Sequence, residues 1–241
     1  MKLSEVIAFL DRLSPLMLAE KWDNCGLQVG DLAQEISDLV ITLECDGGCI
    51  EAAPEGALII AHHPLIFSPL RNLDYATYPA MLIRRLIEKR LSLVAMHTNF
   101  DKSHLNRYVT EEVFGFASVE EEGFVAYASW SGDFESLKEL VRQRLGIDGA
   151  LRVVEPARAL KRIAVTTGSG ASLLSQVRAD CFLTGDIKYH DAVAAREMGI
   201  GLIDIGHYAS ERWFVPLMAD QVKSMPLNVI LYNSENPFLQ G

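Results

Sequence analysis

The sequence predicts an α/β fold. Continuous apolar runs at 39–43, 58–61, 91–96, 163–167, 181–183 and 202–205 have the length of buried strands and stop at glycine, proline or polar residues. Apolar residues at helical spacing lie between several of these runs, as in 79–90 and 136–145. The chain has 241 residues, 49% hydrophobic and 22% charged, enough for one large domain or two ordinary lobes with a sizeable core.

Taken in order, Val6, Ile7, Leu10 and Leu13 share one helix face. Ser14-Pro15 then reads as a cap and first position of a short helix toward Glu20. Trp22-Asp23-Asn24-Cys25-Gly26 to Gly30 reads as a loop or tight hairpin, with Trp22 as packing and Asp23 and Asn24 as turn formers. The run to Leu43 ends in Glu44-Cys45-Asp46 and two glycines. Leu58-Ile59-Ile60-Ala61 ends in His62-His63-Pro64. Residues 66–78 are loop-like, and Pro79 opens a helix whose late cations suit its C-terminus. The run to Met96 enters His97-Thr98-Asn99-Phe100-Asp101, and a helix covers Leu105 to Phe114. Two glycines and Glu120-Glu121-Glu122 in 115–123 mark a lobe boundary. The expected lobes are 1–115 and 116–241, and segments could be exchanged between their sheets. In the second half, Phe124–Trp130 and Leu151–Val154 are strands, and Gly146 closes the helix from Ser136 to Leu145. Ile163–Thr167 leads into Gly168-Ser169-Gly170, read as a plain turn in preference to an anion-holding loop, because a Walker lysine is missing. Cys181–Leu183 leads to Thr184-Gly185-Asp186 and on to His190, with Asp186 as a helix cap. Leu202–Ile205 leads to Gly206-His207 and Glu211, and Val229–Tyr232 is an edge strand.

The net charge is −10, from 32 acidic and 22 basic residues, which disfavours nucleic acid as a partner. None of the four cysteines forms a C-x-x-C pair. No export leader and no membrane span are read in the chain, so the expected location is the cytoplasm.

Three strand ends therefore offer histidine, and two add a carboxylate within four residues: His62, His63, His97, Asp101, His207 and Glu211. One such end is readily packing or a loop entry; three are harder to assign that way. Neighbouring side chains on an extended chain point apart. Thus His62 and His63 could each serve one of two adjacent metals, or one could bind while the other supports it. If Tyr208 onward is helical, His207 and Glu211 share a face about 6 Å apart at Cβ. Parallel strands would bring these ends together. Three or four histidines with two carboxylates suit a pair of divalent ions: zinc, iron, manganese, cobalt or nickel.

The segments Trp22-Asp23-Asn24-x-Gly26-Leu27-Gln28-Val29-Gly30, His62-His63-Pro64-Leu65-x-Phe67, His97-Thr98-Asn99-x-Asp101, Thr184-Gly185-Asp186 and Gly206-His207-x-x-x-Glu211 resemble the NIF-three-like family, in order and over nearly the whole chain. Many of its members are called GTP cyclohydrolase I type 2. One departure is Leu43-Glu44, where relatives commonly carry Leu-Asp. The resemblance implies two α/β lobes with mixed sheets, a dinuclear metal site in the cleft between them, and a homohexameric ring. Carried over by position, the metal ligands are His62, His63, Asp101, His207 and Glu211, with Glu211 as the bridge. His97 stands beside the metals or acts as a base.

The resulting expectation is a hydrolase using two divalent ions, zinc, iron or manganese, on a nucleotide or phosphorylated small molecule. His97 or His190 would move the proton. Features that could read phosphate are few: Lys188, Arg212 and the Gly168–Gly170 turn. The alternative is a metal store, metal chaperone or regulatory interaction protein.

Overall fold

A computed structural model describes residues 1–117 and 119–238; Ser118 and residues 239–241, which the expected second lobe includes, lie outside the described residues. In chain order the elements are α1 (Leu3–Leu13), β1 (Gly26–Val29), β2 (Asp38–Thr42), α2 (Gly47–Ala52), β3 (Leu58–Ala61), α3 (Ala80–Glu88), β4 (Ser92–Ala95) and α4 (Thr98–Phe100). There follow α5 (Asn106–Tyr108), flanked by π-helical turns Asp101–Leu105 and Val109–Val113, then β5 (Glu120–Glu122), β6 (Val125–Ser129) and α6 (Phe134–Leu145). The remainder is β7 (Val153–Val154), β8 (Arg162–Val165), β9 (Cys181–Thr184), α7 (Tyr189–Met198), β10 (Gly201–Asp204), α8 (His207–Glu211), α9 (Phe214–Val222) and β11 (Asn228–Leu231).

The chain forms two compact units, Met1–Phe100 with the segment from Phe214 onward, and Asp101–Trp213. They are not consecutive halves. The C-terminal segment returns to the first unit because β11 pairs in parallel with β2, Val229 facing Leu39. The expected boundary near residue 115 falls inside the second unit. The acidic run there is a strand, since Glu120–Glu122 pairs antiparallel with Val125–Tyr127 around Gly123, whose φ is +64°.

The first unit holds a mixed sheet in the order β1-β4-β3-β2-β11. The inner strands β2, β3 and β4 run parallel, while β1 is antiparallel to β4. Residues 26–29, read as part of a loop or tight hairpin, are thus an edge strand, paired with β4 instead of with a sequence neighbour. Leu58–Ala61 is buried at every position, as its unbroken apolar run requires of a central parallel strand. Val40, Ile59, Ala61, Leu86 and Leu93 form one continuous core with Cys49 and Ile50 of α2. Each of the Val, Leu and Ile side chains contributes about 1.5–3 kcal/mol by leaving water. The helix expected after Pro15 is only a 3₁₀ turn, Leu16–Leu18.

The second unit holds a mixed sheet in the order β5-β6-β8-β9-β10-β7. Here β8, β9 and β10 are parallel and the outer strands antiparallel. Tyr127, Ala164, Phe182, Ala195 and Leu202 share its core. Asp133 caps α6 by accepting from the Ser136 N–H, and Gly146 ends it at φ +63°. Among the described residues no helix is long and apolar enough to cross a membrane.

Candidate metal centre

In the first unit the parallel register aligns Thr42 with Ala61 and Ala61 with Ala95. The next residues of β2, β3 and β4 therefore emerge at one sheet edge, bringing Glu44, His62, His63 and His97 together. Three backbone bonds extend the ladder past the strands and pin this edge: His62 N–H to Thr42 O, His63 N–H to Leu43 O, and Met96 N–H to Ala61 O. The three imidazoles are mutual neighbours, with ring centroids 4.9 to 5.4 Å apart. Each offers a nitrogen within 4.8 Å of the other two.

Each ring is oriented from behind. His62, wholly buried, has Nδ1 2.9 Å from the Met96 carbonyl. His63 Nδ1 lies 2.5 Å from Glu44 Oε1, and His97 Nδ1 lies 2.9 Å from Asp23 Oδ1. These oxygens accept, so each places the ring proton on Nδ1 and leaves the Nε2 lone pair to meet a metal or a proton. Asp23 also accepts from the Thr98 N–H and hydroxyl. Burial opposes its ionisation, but His97, Cys25 and Thr98 together hold its carboxyl well below the usual carboxylate range. Burial, reinforced by the Asp23 hydrogen bond and charge, pushes the Cys25 thiol up to about 12.

The second unit repeats the arrangement. Parallel β8, β9 and β10 send Thr166-Thr167-Gly168, Gly185-Asp186 and Gly206-His207 out at one edge. The turns pack closely enough that a Cβ at Gly185 would sit 2.7 Å from both Gly168 O and His207 N. Only glycine fits there. His207 Nδ1 lies 2.6 Å from Asp186 Oδ2, and its Nε2 lies 2.9 Å from Glu211 Oε2, one turn along α8. Asp101 and Glu211 are both buried, with carboxylate oxygens within 4.8 Å of each other. Gly168, at φ +60°, leaves the room in which the Glu211 carboxylate sits; a Cβ there would collide with it.

These donor sets fit a divalent transition metal. Imidazole nitrogens oriented through the opposite nitrogen, and buried carboxylates near one another, are the coordination chemistry of zinc, iron or manganese. Two buried acids without a cation would repel.

A family model described as Duf34/NIF3 (NGG1p interacting factor 3) matches residues 1–237. The chain belongs to the Duf34/NIF3 family. It is 48% identical over 239 residues to a Campylobacter jejuni protein called GTP cyclohydrolase 1 type 2 homolog, covering 99% of each chain. It is 42% identical over 235 residues to a Helicobacter pylori protein called GTP cyclohydrolase 1 type 2, covering 97% of this chain and 96% of the other. Among solved structures, a Staphylococcus aureus hypothetical protein, SA1388, superposes with a TM-score of 0.87 at 27% identity, covering 100% of this chain and 99% of that one. Reduced HcgD from Methanocaldococcus jannaschii gives 0.82 at 29% identity, covering 96% and 97%.

Of the residues singled out in this Duf34/NIF3 sequence, His62, His63 and His97 cluster in the first unit, and Asp101, His207 and Glu211 lie close in the second. His190 does not join them. It is exposed on the first turn of α7, its ring 5.4 Å from Tyr189. Three supporting carboxylates escaped the sequence reading. Asp23 was assigned to a turn, but it reaches His97 across 74 residues. Glu44 stands where relatives commonly carry aspartate, and its longer side chain meets His63. Asp186 was assigned to a helix cap, yet Asp191 closes the first turn of α7 on Lys188 N–H while Asp186 faces His207. The Gly168–Gly170 turn is a plain one: the Gly168 and Gly170 N–H groups go to the Ser210 and Thr184 hydroxyls. Arg212 donates to Leu145 O. Trp22, read as packing, touches the Phe67 and His97 rings but is 59% exposed and lies outside the core.

Proposed function

We propose that this Duf34/NIF3 protein is a metal-dependent hydrolase with a dinuclear centre, acting on a nucleotide or phosphorylated small molecule. The observation that carries the reading is the treatment of the histidines. His62, His63, His97 and His207 each have Nδ1 on an oxygen acceptor. Ordinary surface or core histidines have no common reason to be aimed this way; metal ligands do. Chain continuity supports joining the two sets. Asp101 follows His97 by four residues, and Glu211 precedes by three Phe214, whose ring lies 4.8 Å from that of His62.

In this reading His62, His63, Asp101, His207 and Glu211 are the ligands, with Glu211 shared by two ions. Two divalent ions held by these residues would supply Lewis acidity and lower the pKa of a bound water. Glu44 and Asp186 hold His63 and His207 in the ligating tautomer. His97, oriented by Asp23, accepts or returns a proton through Nε2. The proton role goes to His97 because His190 is exposed and is not shown to be held by a carboxylate. The names of the Campylobacter and Helicobacter relatives favour a GTP cyclohydrolase-like hydrolysis. A cytoplasmic location and a hexameric ring complete the proposal.

The test is metal analysis of the purified protein, then turnover of a nucleotide and phosphoester panel by wild type and Glu211→Ala. The expected result is about two ions per chain and a loss of at least 100-fold in kcat/KM in the variant with folding retained. A metal-free wild type matched in activity by Glu211→Ala would refute the reading. Metal bound and released with no turnover on any substrate would favour a metal store or chaperone.

A further inference from the structure

Two large aromatic rings in the first unit face water beside His97. Trp22 is 59% exposed and Phe67 is 51% exposed. Their centroids are 5.9 Å apart with the planes inclined at 52°. The Trp22 indole also stands nearly edge-on to the His97 imidazole, 6.3 Å between centroids. Single exposed aromatics are common on protein surfaces. What sets these apart is the anchoring of the backbone on either side. Asn24 Nδ2 donates to Ile66 O at 2.6 Å, and the Ile66 N–H donates to Gln28 Oε1 at 2.9 Å. Asp23 bonds His97 and Thr98. Trp22 thus precedes the residue tied to His97, and Phe67 follows the residue tied to the Trp22 segment. The polar network fixes two loops that are 42 residues apart, and the adjacent aromatic side chains remain in solvent.

We propose that Trp22 and Phe67 form a stacking platform that binds a planar heteroaromatic ring of the substrate and presents it beside His97. The proposal rests on the hydrolase reading above and names the part of the substrate that is recognised. A π-face suits any nucleobase-like ring, and stacking tolerates differences in its edge groups. The charge balance points the same way. The chain carries −10, the Gly168 and Gly170 N–H groups are engaged internally, and Arg212 donates to Leu145 O. Recognition through the ring needs none of these groups.

The test uses the full-length, metal-loaded protein, with guanosine and adenosine as probes and ribose 5-phosphate as the non-aromatic control. Intrinsic fluorescence and calorimetry are read for wild type, Trp22→Ala, Trp22→Phe and Phe67→Ala. The expected result is saturable quenching by the nucleosides that is lost in Trp22→Ala, with Trp130 and Trp213 remaining as emitters. Affinity should fall about tenfold in each alanine variant and be largely kept in Trp22→Phe. Metal content should be unchanged in all. Absence of saturable nucleoside binding to wild type, or equal affinity in Phe67→Ala and Trp22→Phe with no change from wild type in Trp22→Ala, overturns the proposal. So does fluorescence that follows protein concentration instead of ligand, which would make the patch a self-association face. Nucleoside binding through Trp22 in a wild type that turns over no substrate of the panel would refute the hydrolase reading while sparing the platform.

Discussion

Asp186 places Oδ2 2.6 Å from His207 Nδ1 while adopting a left-handed backbone, φ +53°. That conformation costs a non-glycine residue of order 1 kcal/mol or more. Asn or Gly would relieve it, yet neither offers a carboxylate to the imidazole. Asp186→Asn should therefore leave the melting temperature nearly unchanged and weaken metal binding about 10–100-fold. Competition titration with a chromogenic chelator reads the affinity; an unaltered constant would remove Asp186 from the site.

Glu44 stands in the same relation to His63, at 2.5 Å. Glu44→Gln should lower metal affinity by about 10-fold or more. Glu44→Asp keeps the charge but is one methylene shorter, so it should fall between wild type and Glu44→Gln. The ordering of the three affinities is the measurement, and Asp equal to Glu would show that reach does not matter.

Gly168→Ala combines a left-handed φ with a Cβ directed at the Glu211 carboxylate. Gly56 has a comparable φ of +76° and nothing within 4 Å of its Cβ position. Gly56→Ala should cost about 1 kcal/mol from backbone strain alone. Gly168→Ala should cost more than that and should also reduce bound metal, which Gly56→Ala should not. Denaturant unfolding and metal analysis of the pair separate strain from displacement of Glu211.

Asp23 gives a pH signature. Its folded carboxyl is held below the ordinary value near 3.8. Its stabilising contribution is therefore complete above about pH 4 and is lost as the pH falls through the folded value. With metal removed by chelator, Asp23→Asn should be less stable than wild type at pH 7 by roughly 1–3 kcal/mol. The gap should narrow at pH 3. A gap that stays constant from pH 7 to pH 3 would contradict the assignment.

Chelation alone should leave the fold intact, because each unit has its own continuous apolar core away from the sheet edges. Circular dichroism should be unchanged after metal removal. The melting temperature should drop, and the stability lost should grow with the metal concentration used before removal, reaching about 2.7 kcal/mol at 100 times Kd. Loss of helical signal on chelation would instead make the site structural.

Much of this was legible in the sequence. The strands at 39–43, 58–61, 91–96, 163–167, 181–183 and 202–205 announce themselves because a parallel strand buried on both faces needs an unbroken apolar run. The histidines that follow three of these runs, and the i,i+4 spacing of His207 and Glu211, mark the ligand chemistry locally. The strands with weak local signal were missed: Gly26–Val29 looks like a turn, and Glu120–Glu122 has no buried face at all. What only the tertiary structure decided is which oxygen stands behind each imidazole. Asp23 meets His97, Glu44 meets His63 and Asp186 meets His207 across 74, 19 and 21 residues. Those pairings follow from strand order and register, since a hydrogen bond needs atoms within about 3 Å. No periodicity along one segment encodes the distance to another. The return of β11 to the first sheet has the same origin: an edge strand can be recognised from its own residues, but its partner is chosen by the open hydrogen-bonding edge it finds.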